Sequence, residues 1–179
     1  MTEIVNNLLK LSQLSEDGEK NIQKELIDLS SLIIKTTERL KGLAEKNEVK
    51  IFFKNDSKEK ITLLGNEFFL IQALTNLIKN AIIYNVTGGR ITIHLKKKKN
   101  KALINILDTG IGIHSKDLAH VFDRFYRVDK SRSRQTGGSG LGLPIVLSVI
   151  KVHKGTIEIQ SEPNKGTSVT VSLPIHKAS

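Results

Sequence analysis

Residues 90–112 read RITIHLKKKKNKALINILDTGIG, and their reading decides the fold. In 90–96 and again in 101–107 apolar and polar residues alternate, the period of a half-buried strand. A lysine-rich break separates the two runs, so the pair reads as an antiparallel hairpin. The second strand runs into Asp108-Thr-Gly110-Ile-Gly112, a carboxylate at a strand end followed by a Gly-rich loop.

Upstream, residues 67–85 have helical apolar spacing behind Asn66, a suitable N-cap. Residues 26–46 form a longer amphipathic pattern and 49–53 a short strand. Residues 3–15 place Ile4, Leu8 and Leu11 on one helical face before Gly18. Downstream come a short helix near 115–122, a helix over 143–153, and strands at 155–161 and 167–173 joined by a turn at Pro163–Gly166. Strands and helices without regular βαβ alternation predict an α+β fold, a two-layer α/β sandwich with a mixed or antiparallel sheet packed on helices.

The chain of 179 residues carries 39% hydrophobic and 26% charged residues, a globular composition for one domain of ordinary size. No apolar run is long enough for a membrane helix, and there is no signal-peptide core. The absence of cysteine excludes disulfides and thiolate sites. The net charge of +10 is local: 95–101 holds five lysines, and 124–134 holds five cations against Asp129. A nucleic-acid partner would want aromatics among those lysines, and 95–101 has none. The lysine hairpin is expected to be solvated.

Four sets of residues carry chemistry. On the 67–85 helix, Asn76, Asn80 and Tyr84 fall at i, i+4, i+8, opposite Leu74, Leu77, Ile78, Ala81 and Ile82. Carboxamide oxygens are suitable Mg²⁺ ligands, though a solvated polar face gives the same pattern. Asp108 is acceptor-only, so it can take a hydrogen bond from an adenine amino group and reject guanine; a plain Asx turn is the alternative. Gly137-Gly-Ser139-Gly140-Leu141-Gly142-Leu-Pro144 opens a helix, the arrangement that cradles phosphates, with a flexible linker as the alternative. Phe122-Asp-Arg-Phe125-Tyr-Arg127 puts aromatics and phosphate-pairing arginines just before that loop, or else a simple apolar anchor.

Taken in order, these motifs resemble the catalytic, ATP-binding domain of bacterial two-component sensor histidine kinases, in the GHKL superfamily. Asn76–Asn85 resembles its N box, Asp108–Gly112 its first glycine box, Phe122–Phe125 its F box and Gly138–Gly142 its second glycine box. Gly166-Thr167 matches the element that supports the adenine-binding Asp. The resemblance implies a Bergerat-type fold that binds ATP and Mg²⁺ and transfers the γ-phosphate to a histidine. By it, Asn80 holds Mg²⁺ and Asn76 helps at the phosphates. Asp108 reads adenine, and Gly110, Gly112 and Ile113 shape the base pocket with Tyr84 against the nucleotide. Phe122 and Thr167 belong to the same site. Residues from about 123 to 139 form a mobile lid, Arg127 or Lys130 approaches the phosphates, and Gly138, Ser139, Gly140, Leu141 and Gly142 close over them.

Residues 1–17 resemble the end of a dimerisation helix and 18–179 the catalytic domain. The resemblance thus implies a fragment of a dimeric parent, cytoplasmic here, with any membrane anchor elsewhere. Its partners are a histidine-bearing dimerisation domain and, indirectly, a response regulator; neither nucleic acid nor direct membrane insertion is expected. The sequence departs from the family in two ways. Ile83 stands where the family usually has Lys, leaving Lys79, one turn earlier, as the candidate substitute. None of the five histidines is followed by an acidic residue, as the family's acceptor is, so the acceptor lies outside this chain and all five read as structural or exposed. Asn76 also stands where ATP-hydrolysing relatives place a glutamate, which favours transfer over hydrolysis. The rival readings are a non-catalytic adenine-nucleotide module and an ATP-hydrolysing GHKL module.

Overall fold

In a computed structural model, residues 22–57, 59–128 and 139–176 are described. The elements are β1 (Glu25–Asp28), α1 (Leu29–Lys46), β2 (Lys50–Asn55), β3 (Thr62–Gly65), α2 (Glu67–Ile83), β4 (Arg90–Lys98) and β5 (Lys101–Asp108). They continue with α3 (Ser115–Leu118), α4 (Gly142–Val152), β6 (Thr156–Glu162) and β7 (Gly166–Pro174). The expected helix at 3–15 lies outside the described residues.

Five strands form a sheet in the order β2-β4-β5-β7-β6. Only β2 and β4 are parallel, so the sheet is mixed. Alternation assigns its two faces. Ile91, Ile93 and Leu95 of β4 and Ala102, Ile104 and Ile106 of β5 are essentially inaccessible, and they face the helices. On the opposite face Asn105 donates hydrogen bonds to Ser168 Oγ and Thr170 Oγ1. Helix α2 packs between α1 and α4 and reaches β5. The expected two-layer α+β sandwich is the observed architecture.

Two short strands escape sequence periodicity. Glu25–Asp28, expected mostly inside a helix, is β1, paired antiparallel with β3. Ile27 and Leu63 are both buried at that pairing, and the Asp28 side chain caps α1 by accepting from Ser30 N–H at 3.0 Å. The helix therefore starts at Leu29. Helix α2 begins as expected, with Asn66 Oδ1 accepting from Phe69 N–H at 3.0 Å. The lysines also sit differently. Lys96–Lys98 lie within β4 and only Lys99-Asn100 turn the hairpin. Lys96 Nζ is 3.0 Å from Asp56 and Lys97 pairs with Glu59, so two of the lysines are matched rather than merely solvated. Helix α3 is one turn long; beyond Leu118 the chain turns irregularly instead of continuing to 122.

Candidate functional site

The sheet and α2 leave a cleft of about 230 Å³. Asn76, Lys79, Asn80, Ile83 and Tyr84 line it along one face of α2. The remaining faces bury Leu74, Ile78 and Ile82 against the core, which fixes the rotation of the helix. Asn76 Nδ2 donates to Gly142 O at 3.3 Å, and Tyr84 O accepts from Ile111 N–H at 3.0 Å. One end of the cleft therefore meets the start of α4 and the other the Asp108 loop. These ends are separated by two helical turns, about 12 Å.

At the Asp108 end the register of β5 decides the chemistry. Ala102, Ile104, Ile106 and Asp108 share one side of the strand, so the carboxylate faces the helix layer where the core gives way to the cleft. Asp108 is only 8% exposed. Its Oδ1 accepts from Gly110 N–H at 2.8 Å and from Thr167 N–H at 3.2 Å. Oδ2 has no hydrogen-bond partner among the described residues. Burial holds the carboxyl above the usual carboxylate range, and the two backbone donors oppose that rise.

The surrounding loop is rigidly tied. Ser161 Oγ donates to Gly166 O at 2.8 Å, lies 2.9 Å from Thr167 Oγ1 and accepts from Ile113 N–H at 2.8 Å. One hydroxyl thus joins β6, β7 and the glycine loop. The two glycines serve backbone approach. A Cβ at Gly110 would stand 2.3 Å from Tyr84 O, and Gly112, with φ 68°, would place one 1.9 Å from Glu162 O.

Apolar walls complete the cleft. Ile106, Ile111, Ile113, Ile159, Val169 and Leu143 line it. Val121, Tyr126, Arg127 and Val128 also line it, together with Ser139, Gly140, Gly142 and Pro144, and Phe125 N–H donates to Gly140 O at 3.0 Å. Gly142 is the first residue of α4, whose first-turn N–H groups have no intrahelical acceptor.

Of the residues singled out from sequence, Asn76, Lys79, Asn80, Tyr84, Asp108, Gly112, Ile113, Arg127, Ser139, Gly140, Gly142 and Thr167 converge on this cleft. Gly110, Phe122 and Leu141 do not line it. Gly110 instead orients Asp108, and Leu141 is wholly buried in the core. Lys130 and Gly138, with most of the expected lid, lie outside the described residues. Sequence reasoning missed Ser161 and most of the apolar walls, and it named Tyr126 only as one of the aromatics before the glycine loop. The i, i+2 relation of Ile106 to Asp108 and of Thr167 to Val169 was the available signal for part of those walls.

A family model described as Histidine kinase-, DNA gyrase B-, and HSP90-like ATPase matches residues 65–177. The chain belongs to this ATPase family. Among relatives of this ATPase domain, the sensor-like histidine kinase SenX3 of Mycolicibacterium smegmatis is 36% identical over 174 residues, covering 97% of this chain and 44% of that protein. The sensor protein kinase WalK of Staphylococcus aureus is 36% identical over 176 residues, 97% of this chain and 41% of its own. The solved mycobacterial sensor histidine kinase MprB superposes with a TM-score of 0.74 at 26% identity, over 87% of this chain and 99% of that one. The chain spans less than half the length of the two curated relatives. Among the described residues, no helix of this ATPase-family domain is long and apolar enough to cross a membrane.

Proposed function

We propose that residues 18–179 bind Mg²⁺-ATP and donate its γ-phosphate to a histidine on a dimerisation domain, of which residues 1–17 are the end. In this reading the domain works in the cytoplasm for a dimeric sensor kinase, and the phosphate passes on to a response regulator. Its family and the names of its sequence relatives support the assignment.

The observation that carries the reading is Asp108. With Oδ1 held by two backbone donors, Oδ2 is the acceptor left for an adenine amino group at the cleft. The base would lie between Ile106, Ile111 and Ile113, with Tyr84 against it, and the triphosphate would run along α2 towards Gly142. There Asn76, Lys79, Arg127 and the first turn of α4 supply donors and positive charge. Lys79 would serve in place of a cation at Ile83.

Mg²⁺ fits the donor set at that end. Asn80 brings a carboxamide oxygen whose side chain bonds to nothing else among the described residues, and there is no cluster of three carboxylates or histidines among them. The remaining oxygens would come from phosphate and water, the usual Mg²⁺ shell. When bound, the ion neutralises charge on the phosphates. The chain's own residues would position the nucleotide and bring positive charge to its phosphates, which is most of what phosphoryl transfer needs.

Calorimetric titration with ATP, ADP and GTP, with and without Mg²⁺, tests binding. The expected result is Mg²⁺-strengthened binding of adenine nucleotides over GTP; absence of adenine nucleotide binding overturns the proposal. Supplying a dimerisation domain and assaying acid-labile phosphohistidine then tests transfer. An ATP-bound chain that never labels it would identify a nucleotide sensor instead.

A further inference from the structure

Part of the cleft wall is irregular chain. Between Leu118 and the start of α4 the described residues contain no helix or strand, yet Tyr126, Arg127 and Val128 line the cleft there. A side chain ties this stretch back to α3: Tyr126 OH donates to Asp117 Oδ1 at 2.7 Å. Asp117 is itself buried at 9% exposure, on the one-turn α3. The His120 ring lies 5.3 Å from the Tyr126 ring, and His120 Nδ1 is 2.9 Å from Asp123 Oδ2, so the turn between them folds onto Tyr126.

The residue before Tyr126 shows that the local conformation is enforced. Phe125 has φ 65°, in the left-handed region that bulky side chains avoid. Such a residue persists only where its surroundings hold it there. Two bonds flank it: the Tyr126 hydroxyl on one side, and Phe125 N–H donating to Gly140 O at 3.0 Å on the other.

We infer that Asp117 and Tyr126 form a latch that positions Arg127 at the phosphate end of the nucleotide, and that they are positioning residues for triphosphate binding. The inference rests on the nucleotide reading above and adds two residues to it. Arg127 follows Tyr126 directly, so the clamp on Tyr126 sets where the guanidinium begins. A charge-assisted bond from a half-buried phenol to a buried carboxylate is strong enough to hold a strained turn. The same bond raises the Tyr126 phenol above its ordinary value, with Asp117 as the principal cause.

The test uses the 179-residue chain and compares ATP with AMP by calorimetry. Tyr126→Phe removes one hydroxyl and keeps the ring. It should weaken ATP about tenfold, the equivalent of one charge-assisted hydrogen bond, and weaken AMP less than about twofold. Asp117→Asn retains an acceptor and should lie between wild type and Asp117→Ala. In an Arg127→Met background, Tyr126→Phe should cost no further ATP affinity, because the two residues act through one interaction. Equal losses for ATP and AMP, unchanged ATP binding in Tyr126→Phe, or additive effects with Arg127→Met would overturn the latch. Failure of the wild-type chain to bind ATP would overturn the nucleotide reading instead.

Discussion

Replacing Asp108 by Asn gives the sharpest prediction, because the structure dictates how the new amide must sit. Gly110 N–H and Thr167 N–H both point at the Oδ1 position, so the asparagine carbonyl is forced there and its NH₂ group takes the place of Oδ2. Rotating the amide would set an NH₂ against two N–H donors. The cleft then offers a donor where an adenine amino group needs an acceptor. Losing a hydrogen bond to a charged acceptor costs about 1.5–3 kcal/mol, and leaving the ligand's amino group facing another donor adds about 1–3 kcal/mol. The sum, about 2.5–6 kcal/mol, weakens ATP by between about 10²- and 10⁴-fold. Isothermal titration of wild type and Asp108→Asn with ATP measures this directly. GTP is the informative control, because a carboxamide NH₂ can donate to a guanine oxygen, so the ATP-to-GTP preference should narrow or invert. ATP binding within about threefold of wild type refutes the reasoning, since every step depends on Oδ2 being the acceptor.

Three further outcomes follow from the same geometry. Burial raises Asp108, so the folded chain holds its proton more readily than the unfolded chain; this group's contribution to stability is full below the ordinary value of 3.8 and is lost as pH rises through the raised folded value. ATP affinity, which needs the ionised form, should run the other way and fall as pH drops through that window. Unfolding and ATP titrations of wild type against Asp108→Asn isolate both trends, and parallel trends would contradict the assignment. Gly112→Ala puts a Cβ 1.9 Å from Glu162 O at a left-handed φ, so it should lower both the thermal midpoint and ATP affinity; an unchanged midpoint would show that the loop can relax. His153 is 4% exposed and its Nε2 accepts from Asn66 N–H at 3.0 Å, so His153→Leu leaves that donor unpaired at the start of α2. A loss of about 1–3 kcal/mol is expected in denaturant unfolding, and an unchanged midpoint would refute a stabilising role for the His153–Asn66 bond.

What could be read in advance was local chemistry. The alternation in β4 and β5, the Asn66 cap, the glycines and the Asn76–Asn80–Tyr84 stripe each depend on residues within a turn or two of each other. The resemblance then rested on their order along the chain. Even the inward direction of Asp108 follows from its i, i+2 relation to Ile106.

Short elements were a different matter. Glu25–Asp28 and Thr62–Gly65 are four residues each, too short for a period, and they become strands only because they pair with one another. The lysines of β4 looked like a solvated tip because Asp56 and Glu59, their partners, lie some forty residues earlier.

The sequence by itself determined the α+β class, the start of α2 at its Asn66 cap, the polar face of α2 and a carboxylate at the end of a strand. All of these are periodicities and caps, in which neighbouring residues set one another's direction. Only the tertiary structure decided that Oδ1 of Asp108 is consumed by Gly110 and Thr167 while Oδ2 is left over. It alone joined Ser161 to the glycine loop and Tyr126 to Asp117. Those outcomes depend on which groups from separate parts of the chain come within hydrogen-bond distance, and that is set by the packing of the sheet, its loops and its helices rather than by periodicity along any one stretch.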